Sequence, residues 1–172
     1  MKIAIMGYPG GGKTFLSKIL SAKYEIPIMH LDEVKFDKQW SAIDDSVVLP
    51  QVTSFMEKQD WIIEGNYASL LQEQRLDQAD QIVLILLPRI ACLFRALKRT
   101  KLRRREGYKN DINPWFLYFV LIESRNREQR KRFSEIIETY GRKVVILKTQ
   151  KQIDQYVQSL RIAGLTDKDG QC

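Results

Sequence analysis

A glycine-rich stretch, GYPGGGKTF at residues 7–15, constrains the fold of this chain more than any other feature. It follows the apolar run KIAIM, and its Gly7, Gly12, Lys13 and Thr14 fit the spacing G-x-x-x-x-G-K-[ST] of a phosphate-binding loop. Glycines let the backbone curl so that consecutive N–H groups point at a phosphate, and a helix that begins there adds the positive end of its dipole. The spacing therefore predicts a strand, a phosphate-binding loop and a helix, in that order.

Each residue type in this loop has a part in binding a nucleotide. The Lys13 side chain is long enough to reach the β- and γ-phosphate oxygens, and the Thr14 hydroxyl is a Mg²⁺ ligand at this position of the motif. A glycine-rich turn with a chance lysine is the alternative, but the strand-like run before the loop and the helical stretch FLSKILSAKY after it favour a nucleotide site. The predicted nucleotide-binding residues are Gly7, Gly10, Gly11, Gly12, Lys13, Thr14 and Phe15.

Length and composition are those of one globular domain, which we expect to span residues 1–172. The hydrophobic fraction is 44%, and no apolar run approaches the roughly 18 residues of a membrane-spanning helix. The N-terminal apolar run passes directly into the loop, which is not the layout of a signal peptide. Cys92 and Cys172 lie far apart and belong to no metal or redox motif. We therefore expect a cytoplasmic protein without membrane contact.

Strand-like and helix-like segments alternate along the chain, which predicts a parallel α/β sheet. Ligands of such sheets bind beyond the carboxyl ends of the strands. A stripe of apolar residues at helical spacing near residue 136 favours one long helix over 115–140. The predicted strands are 2–6, 26–32, 61–65, 81–88 and 143–148.

Two acids follow predicted strands at the edge of the sheet where the phosphate-binding loop lies. Asp32 ends the second strand and Glu64 the third. Carboxylates there can hold Mg²⁺, directly or through water, or accept a proton from an attacking hydroxyl. The alternative is that each caps a helix or meets a surface lysine. For His30, the single histidine, we favour a structural, hydrogen-bonded role.

The positive charge of the chain is concentrated in one segment. Residues 95–132 contain 13 Lys or Arg and 4 Asp or Glu, whereas the remainder has 15 basic and 17 acidic residues. One interpretation is an arginine-rich helical lid that clamps nucleotide phosphates, a second is a surface for nucleic-acid phosphates, and a third is a solvated helix face. The candidates for inward-facing cations, spaced one helical turn apart within each pair, are Arg95 with Arg99 and Arg127 with Arg130.

The apolar run WFLYFVLI at residues 115–122 lies inside this basic segment. It is too short to span a bilayer, and we expect it to pack the base of the lid against the core. A contact with a partner chain and a surface for single-stranded nucleic acid are the alternatives.

Several motifs together resemble those of a known family. GYPGGGKT resembles the opening of adenylate-kinase-type nucleoside monophosphate kinases, and WIIEGNY resembles their third-strand motif of an acid followed by glycine. The succession of the loop, HLD, Trp40, WIIEGNY, LILLPR, an arginine-rich segment and VVILK is most similar to the topology-modulation (FlaR-like) proteins, a branch of the adenylate-kinase-related P-loop kinases. The likeness extends to about residue 160.

The resemblance implies a P-loop NTPase fold, a three-layer α/β/α arrangement with a five-stranded parallel sheet in the order 2-3-1-4-5. It also implies ATP on the loop, an acceptor facing strands two and three, Mg²⁺ held by Thr14, Asp32 and Glu64, and a lid at about 95–132. By the same resemblance, Lys13, Asp32, Glu64, Arg95, Arg99, Arg127 and Arg130 are the candidate catalytic residues. GNY after Glu64 departs from the adenylate-kinase pattern of glycine, an apolar residue, proline and arginine, which argues against AMP as acceptor.

These observations favour an ATP-dependent phosphotransferase that acts on a small, nucleotide-like or hydroxylated acceptor. We expect the acceptor near Asp32, Glu64, Asn66 and Tyr67. The alternatives are a nucleotide-regulated nucleic-acid-binding protein, in which ATP sets the position of the basic segment, and an ATPase that has lost its acceptor.

Overall fold

The computed structural model describes residues 1–37, 39–105 and 114–166, and gives only the backbone for residue 99 and residues 102–105 and 160–166. Five strands form one sheet in the order β2-β3-β1-β4-β5, and every neighbouring pair is parallel. The sheet and its strand order are thereby confirmed. The strands are β1 (Lys2–Gly7), β2 (Ile28–His30), β3 (Trp61–Glu64), β4 (Gln81–Ile85) and β5 (Val144–Leu147).

Helices connect the strands and cover the sheet. They are α1 (Lys13–Tyr24), α2 (Leu31–Lys35), α3 (Asp45–Met56), α4 (Gln72–Gln78), α5 (Arg89–Arg105), α6 (Pro114–Leu121), α7 (Arg127–Tyr140) and α8 (Gln150–Thr166). Short 3₁₀ turns lie at Glu123–Arg125 and Gly141–Lys143.

The core lies between the sheet and these helices. Strands β1, β3 and β4 are buried along nearly their whole length, which agrees with their almost continuous apolar sequences. The parallel register pairs His30 with Glu64 and Gly7 with Ile85. The carboxyl ends of β1, β2 and β3 therefore meet at one edge of the sheet, where the phosphate-binding loop also begins.

The structure differs from the sequence prediction most in two segments. The predicted strand 26–32 is shorter, because the chain turns into α2 at the buried residue Leu31 and Asp32 lies in the first turn of that helix. The predicted helix 115–140 is interrupted between α6 and α7. There the Asn126 side chain caps α7 by accepting a hydrogen bond from the Gln129 backbone N–H at 2.8 Å, and Arg125 turns into the interior.

In the described part of the chain, none of the helices combines the length and the apolar character that crossing a membrane requires.

Candidate active site

The phosphate-binding loop connects β1 to α1 through a backbone that only glycine adopts readily. Gly7 has φ +141°, and a Cβ atom at this position would lie 2.2 Å from the carbonyl oxygen of Ile85 on the neighbouring strand. Gly12, the N-cap of α1, has φ +94°. The loop therefore passes close against β4 and then turns so that α1 begins at Lys13, as the motif predicts.

A side-chain amide from the segment after β3 holds the start of this loop. Asn66 accepts a hydrogen bond from the Gly7 N–H at 3.0 Å and donates one to the Gly7 carbonyl at 2.8 Å. Lys13 donates a further bond to the same carbonyl at 3.2 Å. The sequence analysis placed Asn66 near the acceptor. The residue does line the cavity, but its side-chain amide is hydrogen-bonded to the phosphate-binding loop.

Glu64 contacts both a predicted metal ligand and a predicted phosphate-binding residue. Its Oε2 accepts a hydrogen bond from the Thr14 hydroxyl at 3.0 Å and lies 2.9 Å from His30 Nδ1, and its Oε1 lies 4.0 Å from Lys13 Nζ. The side chain is only 6% exposed, so these partners offset the cost of burying a carboxylate. His30 is thus hydrogen-bonded, and its partner is a candidate site residue.

Asp32 belongs to a separate hydrogen-bonded pair in the same cavity. Tyr67 donates its phenolic proton to Asp32 Oδ1 at 2.6 Å. Burial, and next the hydrogen bond to Asp32, raise the pKa of Tyr67, so the phenol remains a donor. Of the three predicted metal ligands, the structure joins Thr14 and Glu64 directly, while Asp32 pairs with Tyr67.

The four candidate arginines have different positions. The Arg95 guanidinium donates to the carbonyl of Gly11 and to the side chain of Gln150, and it lines the cavity. The Arg99 side chain lies outside the described residues. Arg127 and Arg130 are exposed, and the cavity is lined by Asn126 and Gln129 instead, because the cap at residue 126 sets which side of α7 turns inward.

The sequence analysis did not single out a fifth arginine, Arg125, which contacts Tyr8 of the phosphate-binding loop. Arg125 is buried, its guanidinium lies 3.7 Å from the ring centroid of Tyr8, and it donates to the Leu87 carbonyl at 2.8 Å and to Cys92 Sγ at 3.1 Å. Burial lowers the pKa of Arg125 and raises the pKa of Cys92. No local motif marks Arg125 among the other cations of residues 95–132.

A single cavity of about 890 Å³ contains most of these groups. This volume is near the upper end of the range for small-molecule sites, about 300–1,000 Å³. Its lining includes Gly10, Gly11, Gly12, Lys13, Thr14, Phe15, Asp32, Phe36, Trp40, Glu64, Asn66, Tyr67, Arg95, Phe116, Phe119 and Glu123. Within the described ranges, no three His, Cys, Asp or Glu side chains form a metal site without help from a ligand.

A five-stranded parallel sheet in this order, with flanking helices and a glycine-rich loop after the central strand, is the α/β/α fold of the P-loop kinases. A gluconokinase from Sinorhizobium meliloti is similar over 96% of this chain and 91% of its own, with a TM-score of 0.54 and 14% identity. A Chloroflexus aurantiacus protein provisionally described as a kinase is similar over 93% and 97%, with a TM-score of 0.52 and 17% identity.

A shikimate kinase from Aquifex aeolicus is similar over 99% of this chain and 100% of its own, with a TM-score of 0.49 and 16% identity. At these identities the likeness concerns the fold. No protein-family profile and no curated protein sequence matches the chain.

Proposed function

We propose that this protein is an ATP-dependent phosphotransferase of the nucleotide-kinase type, which transfers the γ-phosphate of ATP to a small hydroxylated or nucleotide-like acceptor. The observation that carries the proposal is the contact between Lys13, Thr14 and Glu64 at the phosphate-binding loop, in one cavity with Asp32. The order of motifs along the sequence supports a place in the topology-modulation branch of these kinases, and the two widely separated cysteines support a cytoplasmic setting.

The chain fits a magnesium ion bound together with ATP. Thr14 Oγ1 and Glu64 Oε2 lie 3.0 Å apart, and Mg²⁺ in kinases is held by few protein oxygens, with phosphate oxygens and water completing its shell. When bound, Mg²⁺ would neutralise charge on the β- and γ-phosphates.

The other candidate residues have separate roles in the proposed transfer. In this proposal Lys13 and Arg95 hold phosphate oxygens, and Asp32 faces the acceptor hydroxyl. Catalysis is then mostly positioning and charge neutralisation, with little covalent chemistry for the protein.

The test measures ATP binding and ADP formation separately. Calorimetry with Mg²⁺ and a non-hydrolysable ATP analogue gives the affinity, and ADP release is followed with nucleosides, nucleoside monophosphates and small hydroxylated metabolites. We expect Lys13→Ala to weaken binding and abolish turnover. Lys18→Ala, which removes an exposed lysine from the same helix, is the matched control and should change neither.

The outcomes separate the alternatives. Unchanged ATP affinity in a folded Lys13→Ala protein would remove the phosphate-binding loop from the mechanism. ADP release that no acceptor accelerates would favour an ATPase without acceptor.

A nucleic-acid-binding role is the second candidate, favoured by the exposure of Arg127 and Arg130 within the basic segment 95–132. At about 0.15 M salt the screening length is roughly 8 Å, and loose surface attraction is weak. For a kinase, binding to DNA or RNA there should be no tighter than the non-specific range of about 10⁻⁴ to 10⁻⁶ M. Because the exposed Arg127 and Arg130 do not line the cavity, Arg127→Ala and Arg130→Ala should then leave turnover nearly unchanged. Tight, selective binding that these variants lose would support the second candidate instead.

A further inference from the structure

The cavity has two chemically different sides, divided by the strand order. β4 and β5 lie on one side of β1, and the segments that follow them supply Arg95 and Gln150. β2 and β3 lie on the other side, and the segments after them supply carboxylates and aromatic rings. We call this second side the acceptor wall, formed by Asp32, Phe36, Trp40 and Tyr67.

Three aromatic rings of the acceptor wall form a continuous group. The ring centroid of Phe36 lies 5.7 Å from that of Trp40 and 6.4 Å from that of Tyr67. Trp40 is 70% exposed although it lines the cavity. A large, open aromatic face in a binding cavity is suited to stacking against a flat ring.

The backbone around Trp40 is built to present that side chain. Trp40 has φ +62°, an unfavourable conformation for a bulky residue. The turn that enforces it is closed by the bridge between Phe36 and Ala42 and by the Asp37 carboxylate, which accepts hydrogen bonds from two backbone N–H groups of the turn at 2.8 and 2.9 Å. Such local strain, held by surrounding bonds, is found mainly at functional sites.

The described part of the acceptor wall has no cation available for an anionic acceptor. Lys35 is held by Asp45 Oδ1 at 2.5 Å and by the Ile43 carbonyl at 2.7 Å, and it does not line the cavity. Arg75 is fully buried and donates to the carbonyls of Tyr67 and Leu70. A phosphate or carboxylate on the acceptor would therefore meet the Asp32 carboxylate of the wall without a counterion among these residues.

We propose that the acceptor is a nucleoside, that is, an uncharged sugar alcohol carrying a planar heteroaromatic ring, and not a nucleoside monophosphate. This inference rests on the proposed phosphotransfer. The ring stacks on Trp40 and Phe36, and the reacting hydroxyl lies beside Asp32. The hydroxyl oxygen forms a bond to the γ-phosphorus of ATP, and the bond from that phosphorus to the bridging oxygen breaks. ADP leaves, and the hydroxyl proton passes to the Asp32 carboxylate.

The test compares matched acceptors that differ in one feature. Each nucleoside is assayed against its own 5′-monophosphate and against the base-free sugar, with Mg²⁺ and ATP, and the phosphorylated product is identified by mass spectrometry. We expect kcat/KM for at least one nucleoside to exceed both relatives by about tenfold or more, a difference of about 1.4 kcal/mol in transition-state binding. Preference for the monophosphate would overturn the charge argument. Equal use of the base-free sugar would overturn the stacking argument.

A variant pair tests the wall itself. Trp40→Ala should raise the KM or Kd for the nucleoside roughly five- to 150-fold, as loss of a stacked aromatic commonly does, and leave ATP affinity unchanged. Trp40→Phe should restore most of the affinity. Trp115→Ala removes a tryptophan of similar exposure, 63%, that does not line the cavity, and should have no effect.

A binding experiment distinguishes failure of this inference from failure of the proposed function. Calorimetry in the presence of a non-hydrolysable ATP analogue measures the affinity of nucleosides for the acceptor wall in the absence of phosphoryl transfer. If the analogue binds and another acceptor is phosphorylated, only the nucleoside assignment fails. If neither the analogue nor any nucleoside binds, both proposals fail.

Discussion

Replacing Asn66 by alanine tests whether the segment after β3 sets the shape of the phosphate-binding loop. The substitution removes both side-chain hydrogen bonds to Gly7, one at its backbone N–H and one at its carbonyl. The Gly7 carbonyl retains Lys13 at 3.2 Å, but its N–H loses the partner that the structure gives it. At about 0.5–1.5 kcal/mol for each hydrogen bond, the native loop conformation loses roughly 1–3 kcal/mol relative to its alternatives.

This loss should appear in two measurements. Urea unfolding should show a lower free energy of unfolding by up to that amount. ATP must then select a less populated loop conformation, so its apparent Kd should rise by at most the same free energy, roughly five- to 150-fold. Gly7, with φ +141°, depends on such fixed contacts more than an ordinary residue does.

Two further variants make the result specific. Asn66→Asp keeps an acceptor for the Gly7 N–H but places a second carboxylate beside the loop, so ATP affinity should fall further than in Asn66→Ala. Gln74→Ala removes an exposed carboxamide from α4 and should change neither quantity. If Asn66→Ala leaves the unfolding free energy within about 0.5 kcal/mol and ATP affinity unchanged, the two hydrogen bonds do not hold the loop.

Three other perturbations follow from the same site. Glu64→Gln should lower kcat on the order of a hundredfold or more and change the Kd of ATP much less, because the lost charge matters most during transfer; equal effects on both would contradict this. Gly65→Ala should lower the free energy of unfolding in urea by roughly 1–3 kcal/mol, because φ at Gly65 is +146° and the new Cβ would lie 2.8 Å from Leu31 Cβ. The control Gly141→Ala, where a Cβ meets nothing within 4 Å, should leave the free energy of unfolding unchanged. Asp32→Asn should lower the pKa of Tyr67 only part of the way, because burial is the larger cause of its rise; an unchanged tyrosine titration by NMR would mean that the Asp32 bond contributes nothing. Because its pKa is raised, protonated Tyr67 contributes stability that is complete below pH 10, its ordinary pKa, and is lost as the pH rises through the pKa of the folded protein. This loss of stability should be smaller in Asp32→Asn.

The sequence predicted the parts of this protein that depend on short-range patterns. The spacing of Gly7, Gly12, Lys13 and Thr14 defined the loop, and the strand-end position of Glu64 brought it to Thr14 across 50 residues. The placement of Glu64 follows from a rule that holds for any parallel sheet, because parallel strands end at the same edge. The family resemblance added the strand order, which the structure confirms.

The remaining features depend on individual long-range contacts that no periodicity encodes. Arg125 and its neighbours Arg127 and Arg130 are equally basic in sequence, yet only Arg125 is buried, because Tyr8, Leu87 and Cys92 supply its partners. The same contacts explain why the predicted helix 115–140 is interrupted: a continuous helix would pass through residue 125 without directing it to those partners. A stripe of apolar residues predicts that a helix exists but not where the helix is interrupted.

In the proposed transfer, the short segment Glu64–Tyr67 would couple the two substrates. Glu64 contacts the residues expected to hold metal and phosphate, Asn66 fixes the first glycine of the loop, and Tyr67 orients Asp32 on the acceptor wall. Arg75 holds the far end of this stretch through the Tyr67 carbonyl at 2.7 Å, and burial lowers the pKa of Arg75 to about 10, so the guanidinium remains charged at neutral pH. Consecutive residues on one strand end cannot move independently. A displacement of this segment would therefore shift the phosphate-binding loop and Asp32 together, which would preserve the relative placement of ATP and acceptor in the proposed transfer.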